Sequence, residues 1–92
     1  MEINKPNKLS SDIEIFEQVR RAKKGDELAF KELMERYNKA VYYLILKMVR
    51  NTADAEDLAI EVFSKVFFNL DMYTETHSFS TWLFKIASNH AI

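Results

Sequence analysis

The sequence predicts an all-α domain, a compact bundle of four helices, on three observations. Helix breakers are scarce: the 92 residues contain one Gly and one Pro, Gly25 and Pro6, both before Asp26. Apolar residues make up 48% of the chain and recur in steps of three and four. Residues able to cap a helix stand where each such stripe begins.

Residues 1–10 are polar and without pattern, and are expected to form a flexible N-terminal arm. The folded domain is expected over residues 11–92, with Ser11 or Asp12 capping a first helix that turns Ile13, Phe16, Val19 and Ala22 inward. That helix should end at Lys23-Lys24-Gly25, where cations meet the negative helix end and Gly supplies a left-handed residue. Asp26 caps a long second helix to about Arg50, with the stripe Phe30, Leu33, Tyr37, Val41, Leu44 and Met48. Asn51 or Thr52 opens a third, whose first turns hold Asp54, Glu56 and Asp57 beside the positive helix end. Asp71 to Ser78 lacks a helical pattern and reads as a structured loop, and Ser78 caps a fourth helix from Phe79. This last helix reaches Ile92 with no Gly, Pro or basic last turn, so the chain is expected to be a piece of a longer protein.

A chain of this length holds one core. The absence of Cys excludes disulfide frameworks and thiolate metal sites. No N-terminal leader pattern or membrane-length apolar run is present, which favours the cytoplasm and argues against membrane insertion. A net charge of −1 disfavours a free-standing, non-specific nucleic-acid binder. The charges are nevertheless segregated. Residues 20–50 carry a cluster of cations that includes Arg20, Lys23, Arg36 and Lys47. From Asn51 to Thr76 the balance is acidic, with Asp54, Glu56, Asp57, Glu61, Asp71 and Glu75 against Lys65 alone.

On a helical wheel the third helix turns Ala55, Leu58, Ala59, Val62, Phe63, Val66, Phe67 and Leu70 to the core. Asp54, Asp57, Glu61 and Lys65 lie opposite, with Phe68 among them. An aromatic ring surrounded by charge suits an interface anchor; a solvated face with a Glu61–Lys65 pair satisfies the same pattern. The fourth helix turns Phe79, Trp82, Leu83, Ile86, Ala87 and His90 one way, and Thr81, Lys85, Ser88 and Asn89 the other. Short donors and acceptors with one cation suit phosphates or base edges, and equally suit an ordinary wet face. Before this helix, Tyr73, His77 and Phe79 alternate with Thr74, Glu75, Thr76 and Ser78. Such a loop suits the capture of unstacked bases, or is simply pinned to the core by its aromatic rings.

Catalysis and metal binding find no support. Glu56 and Asp57 are adjacent and do not face each other on a helix. No Ser-His-Asp set, P-loop or Glu-x-x-His motif occurs, and His77 and His90 lack companion ligands. No enzyme activity, cofactor or metal is expected.

Three stretches carry a resemblance to a known family: Gly25 to Tyr37 (GDELAFKELMERY), Asp54 to Phe63 (DAEDLAIEVF) and Phe79 to Asn89 (FSTWLFKIASN). In this order they resemble the GDExAFxxLxxRY, DAEDLxQEVF and FRTWLxRIAxN segments of region two of the extracytoplasmic-function sigma factors, in the sigma-70 family. The resemblance implies a region-two helical bundle that docks on core RNA polymerase and helps open the promoter −10 element. It assigns Asp54, Asp57, Leu58, Ile60, Glu61, Lys65 and Phe68 to the clamp helices of the largest catalytic subunit. It assigns Tyr73, Thr74, Glu75, Thr76, His77, Ser78, Thr81, Trp82, Lys85, Ser88 and Asn89 to the opened non-template strand. It also implies an anti-sigma factor as partner and a helix-turn-helix domain beyond this chain. Ile60 replaces the family's usual Gln, Phe68 is unusually bulky, and Ser80 and Ser88 stand where basic residues are common. These departures leave open a second reading, a helical protein-interaction module of the same fold that no longer reads promoters.

Overall fold

A computed structural model describes residues 8–91, with side-chain environments from residue 13 onward. The described residues form four helices, α1 (Lys8–Lys23), α2 (Glu27–Val49), α3 (Thr52–Phe68) and α4 (Phe79–Ala91), with a short 3₁₀ turn, Leu70–Met72, after α3. Of the expected arm, residues 1–7 lie outside the described residues, and residues 8–10 are helical. Ser11 and Asp12 therefore sit within α1 instead of capping it. Extending an existing helix by one turn costs far less than nucleating one, and nothing between Lys8 and Asp12 forbids it.

The turn between α1 and α2 follows from local chemistry. Gly25 adopts φ +97°, a conformation that side chains rarely take. The Gly25 N–H donates to the Ala22 carbonyl and the Asp26 N–H to the Arg21 carbonyl, both at 3.0 Å, closing a Schellman-type cap. Asp26 then caps α2, its carboxylate accepting from the Ala29 N–H at 3.1 Å. At the far end no glycine is available, and Arg50 itself takes the left-handed conformation, its N–H reaching the Leu46 carbonyl at 2.8 Å. Asn51 immediately caps α3 through the Asp54 N–H, at 2.9 Å. Ser78 caps α4, its Oγ accepting from the Thr81 N–H.

α2 packs against all three other helices, and α3 also packs against α4. Its Leu33, Val41 and Ile45 are completely buried, as are Ala55, Val62 and Val66 of α3 and Leu83 and Ala87 of α4. The expected stripes need three adjustments. Ile13 is exposed, while Ile15 joins Phe16, Val19 and Ala22 against the core. Met48 is exposed near the end of α2, where Ile45 makes the deep contact instead. Phe67, one residue before the end of α3, is half in solvent, while Leu70, in the 3₁₀ turn, is buried as expected. The Phe67 ring meets Phe30 edge-on at 5.0 Å.

Replacing Leu83 by Ala should cost about 2–5 kcal/mol, because a completely buried side chain leaves a cavity. Phe68→Ala, at a site 79% exposed, should change stability by less than about 0.5 kcal/mol. Urea unfolding of the two variants checks both values.

Candidate protein-docking and nucleic-acid interfaces

The outward side of α3 is a single stripe. Asp54, Asp57, Glu61, Lys65 and Phe68 are all exposed, and their steps of three and four keep them in line. Ile60, 69% exposed, lies beside the acids, whereas Leu58 is half-buried and helps to seat the helix. Phe68 stands almost wholly in solvent, with its ring edge-on to Phe67 at 5.5 Å. Two large apolar side chains thus flank a run of carboxylates, the composition of an anchor within a charged surround. Glu61 has a partner that spacing did not reveal. Its carboxylate lies 2.7 Å from His90 Nε2 in the last turn of α4, so Glu61 bridges α3 to α4 instead of pairing with Lys65 along α3.

The loop after the 3₁₀ turn is built around Tyr73. Its ring is 1% exposed, edge-on to Phe79 at 5.3 Å and tilted against Trp82 at the same distance. Its hydroxyl donates to the His77 carbonyl at 2.6 Å. Tyr73 is expected among the strand-binding residues; the structure places its ring under Lys23 Nζ and against Phe79 and Trp82, with no open face, so that it supports the loop from below. The residues it supports, Thr74, Glu75, Thr76 and His77, are all exposed. Thr74 and Thr76 share a hydrogen bond at 3.0 Å across the bend. Lys23 and Arg20, at the end of α1, also reach this loop. Lys23 Nζ donates to the Tyr73 carbonyl at 2.6 Å, and Arg20 Nη2 lies 2.7 Å from Glu75 Oε1.

On α4 the residues assigned by resemblance to the strand divide. Thr81, Lys85 and Asn89 are exposed; Ser88, expected outward, and Trp82, expected inward, are half-buried. Ser78 contacts the Thr81 hydroxyl at 2.8 Å and that of Ser80 at 3.2 Å, forming a hydroxyl cluster where the loop enters the helix. Between the end of α3 and α4 runs a groove of about 450 Å³, with Lys65 and Asn69 on one side and Trp82, Asn89 and His90 on the other. It brings Lys65, assigned by resemblance to docking, next to Trp82 and Asn89, assigned to DNA. The sequence reading missed Asn69 and His90 in this groove and Arg20 and Lys23 at the loop. Pattern reading places His90 on the inward face, and its meeting with Glu61 depends on the crossing of α3 and α4. The α1 contacts span 50 and 55 residues of chain and leave no local signature.

Among the described residues no group of three or more His, Cys, Asp or Glu side chains is arranged to hold a metal ion. No helix among them is long and apolar enough to cross a membrane.

Comparison with known proteins gives a consistent result. The model of the family Sigma-70 region 2 matches residues 33–92. The ECF RNA polymerase sigma factor SigW of Bacillus subtilis is 37% identical over 78 residues, covering 85% of this chain and 42% of that protein. The ECF RNA polymerase sigma-E factor of Escherichia coli is 38% identical over 73 residues, covering 79% and 38%. The chain thus spans about two fifths of the length of these curated relatives. Among solved structures, an engineered region 2 of sigmaE in complex with GTAAAA superposes with a TM-score of 0.76 at 39% identity, covering 80% of this chain and 77% of that one. The four-helix architecture, the order of the three motifs and these matches have one explanation: the chain belongs to the Sigma-70 region 2 family.

Proposed function

We propose that this chain docks on core RNA polymerase through the outward face of α3 and takes hold of the opened non-template strand of a promoter −10 element with the 74–78 loop and the exposed side of α4. The observation that carries the reading is the similarity, at TM-score 0.76 and 39% identity, to an engineered region 2 of sigmaE in complex with GTAAAA. The geometry supports it. A base in a duplex hides its Watson–Crick edge, so reading it requires extrusion, at a cost of about a few kcal/mol per base. A loop whose exposed residues are small hydroxyls, a carboxylate and an imidazole, held from below by a buried ring, offers hydrogen-bonding partners to such a base without collapsing onto the core. Thr81, Lys85 and Asn89 continue the polar surface along α4 toward the Trp82 groove.

The division of labour also accounts for the charge. A module with net charge −1 gains little from phosphate attraction. Docked on polymerase, which holds the DNA, it has only to trap strands as they open. Asp54, Asp57 and Glu61 would then meet basic clamp residues, with Ile60 and Phe68 adding apolar contact. An anti-sigma factor that covers the α3 face would compete with polymerase. The role is recognition and regulation of transcription, in the cytoplasm, without chemistry of its own.

Asp57→Lys should reduce capture by core polymerase at least tenfold while circular dichroism stays unchanged, because a like charge would face the clamp. Asp57 is the preferred position because it leaves the Glu61–His90 contact intact. Equal capture by this variant would remove α3 as the docking face. Asn89→Ala should instead weaken binding of a −10 non-template oligonucleotide about tenfold, equivalent to about 1.4 kcal/mol, with polymerase capture unchanged. Full strand binding by Asn89→Ala would remove Asn89 from the strand-binding surface, whereas a folded wild type that fails to bind the strand would favour the module that no longer reads promoters.

A further inference from the structure

The 74–77 segment is short, exposed and poor in apolar contacts, so its conformation depends on a few tethers. Two are internal, the bond from Tyr73 to the His77 carbonyl and the one between the Thr74 and Thr76 hydroxyls. Two more come from α1, of which no residue falls within the stretch matched by the family model, residues 33–92. Arg20 and Lys23 are three residues apart in the last turns of α1, so they project from one side of it. Lys23 Nζ donates to the Tyr73 carbonyl at 2.6 Å and lies 5.9 Å from the centre of the Tyr73 ring. Its charge strengthens the hydrogen bond and adds attraction to the ring face. Two residues further on, Arg20 meets Glu75 at 2.7 Å.

We propose that Arg20 and Lys23 of α1 are positioning residues for nucleotide capture, holding the 73–77 loop in its base-accepting shape without touching the strand. The inference rests on the promoter reading above and goes beyond it by giving α1 a part in recognition. Two physical effects act together. A loop fixed before the strand arrives loses less conformational freedom on binding. The Arg20 guanidinium also offsets the Glu75 carboxylate, which would otherwise repel phosphates from the surface that must receive them. The Arg20–Glu75 pair is exposed on both sides and contributes little to global stability; its effect is local.

The test measures fluorescence anisotropy of a labelled single strand containing GTAAAA, polymerase capture, and amide hydrogen exchange over residues 73–78, for the wild type and four variants. Lys23→Met and Arg20→Glu should each weaken strand binding about threefold to tenfold, the loss of one hydrogen bond or ion contact. Exchange in the loop should speed up and polymerase capture stay constant. Lys23→Arg should keep near-wild-type affinity. The charge swap Arg20→Glu with Glu75→Arg should restore exchange protection in the loop, the readout that reports the tether itself. The salt dependence separates a tether from a direct phosphate contact: it should keep the wild-type slope in Lys23→Met, whereas a lost phosphate contact lowers the slope by about 0.7. A lower slope, a charge swap that fails to recover protection, or single variants that bind like the wild type would overturn the inference. A folded wild type that does not bind the strand would instead overturn the promoter reading on which it rests.

Discussion

The inner face of α2 sets the position of everything else in this protein. Leu33, Val41 and Ile45 have no solvent exposure, and α1, α3 and α4 each lie against α2. With one core and no disulfide, the packing against α2 is the contact that all three other helices share. α3 and α4 press Ala55, Ala59, Val62, Val66, Leu83 and Ala87 into this shared interior, and small residues on α3 let it approach α2 closely. The opposite sides of α3 and α4 are thereby directed outward and held at a fixed separation. The two interfaces are consequences of one packing arrangement, which is how a small module can offer different chemistry on neighbouring faces.

The loop between them depends on the core in a different way. Tyr73 commits its ring to Phe79 and Trp82 and its hydroxyl to the loop backbone, so the exposed residues gain order from a buried one. The same aromatic group links the loop to the first turn of α4, where Ser78 caps the helix by accepting from the Thr81 N–H. The proposed strand-binding loop and the start of α4 are therefore held together locally. The proposed docking face is joined to them more distantly, through the contact of Glu61 on α3 with His90 on α4.

Much of this was legible in the sequence, for identifiable reasons. α2, α3 and α4 begin where Asp26, Asn51 and Ser78 supply a side-chain acceptor, and a cap is a strictly local signal. The acidic stripe from Asp54 to Glu61 is likewise exposed as its periodicity requires. What the pattern did not show depends on three-dimensional closure. The start of α1 carries several equivalent cap-forming residues in a row, so composition does not choose among them. Phe67, expected in the core, is half in solvent one residue before α3 ends, while Leu70 is buried from a 3₁₀ turn that the helical pattern did not show. Tyr73 looks like a loop aromatic in sequence, and only its burial distinguishes a support from a stacking surface. The same limit applies to Glu61, whose carboxylate has both an i,i+4 lysine in sequence and a histidine across the helix crossing, and meets the latter.

The central claim is that two separate faces of one helical core serve two different partners. Titration of the isotopically labelled chain with the unpaired hexanucleotide GTAAAA, followed residue by residue in amide NMR spectra, tests it most directly. The account predicts shifts at Thr74 to Ser78 and along the outward side of α4, at Thr81, Lys85 and Asn89, with Asp54 and Asp57 unmoved. Shifts centred on the acidic face of α3, or no shifts at all from a folded chain, would contradict it.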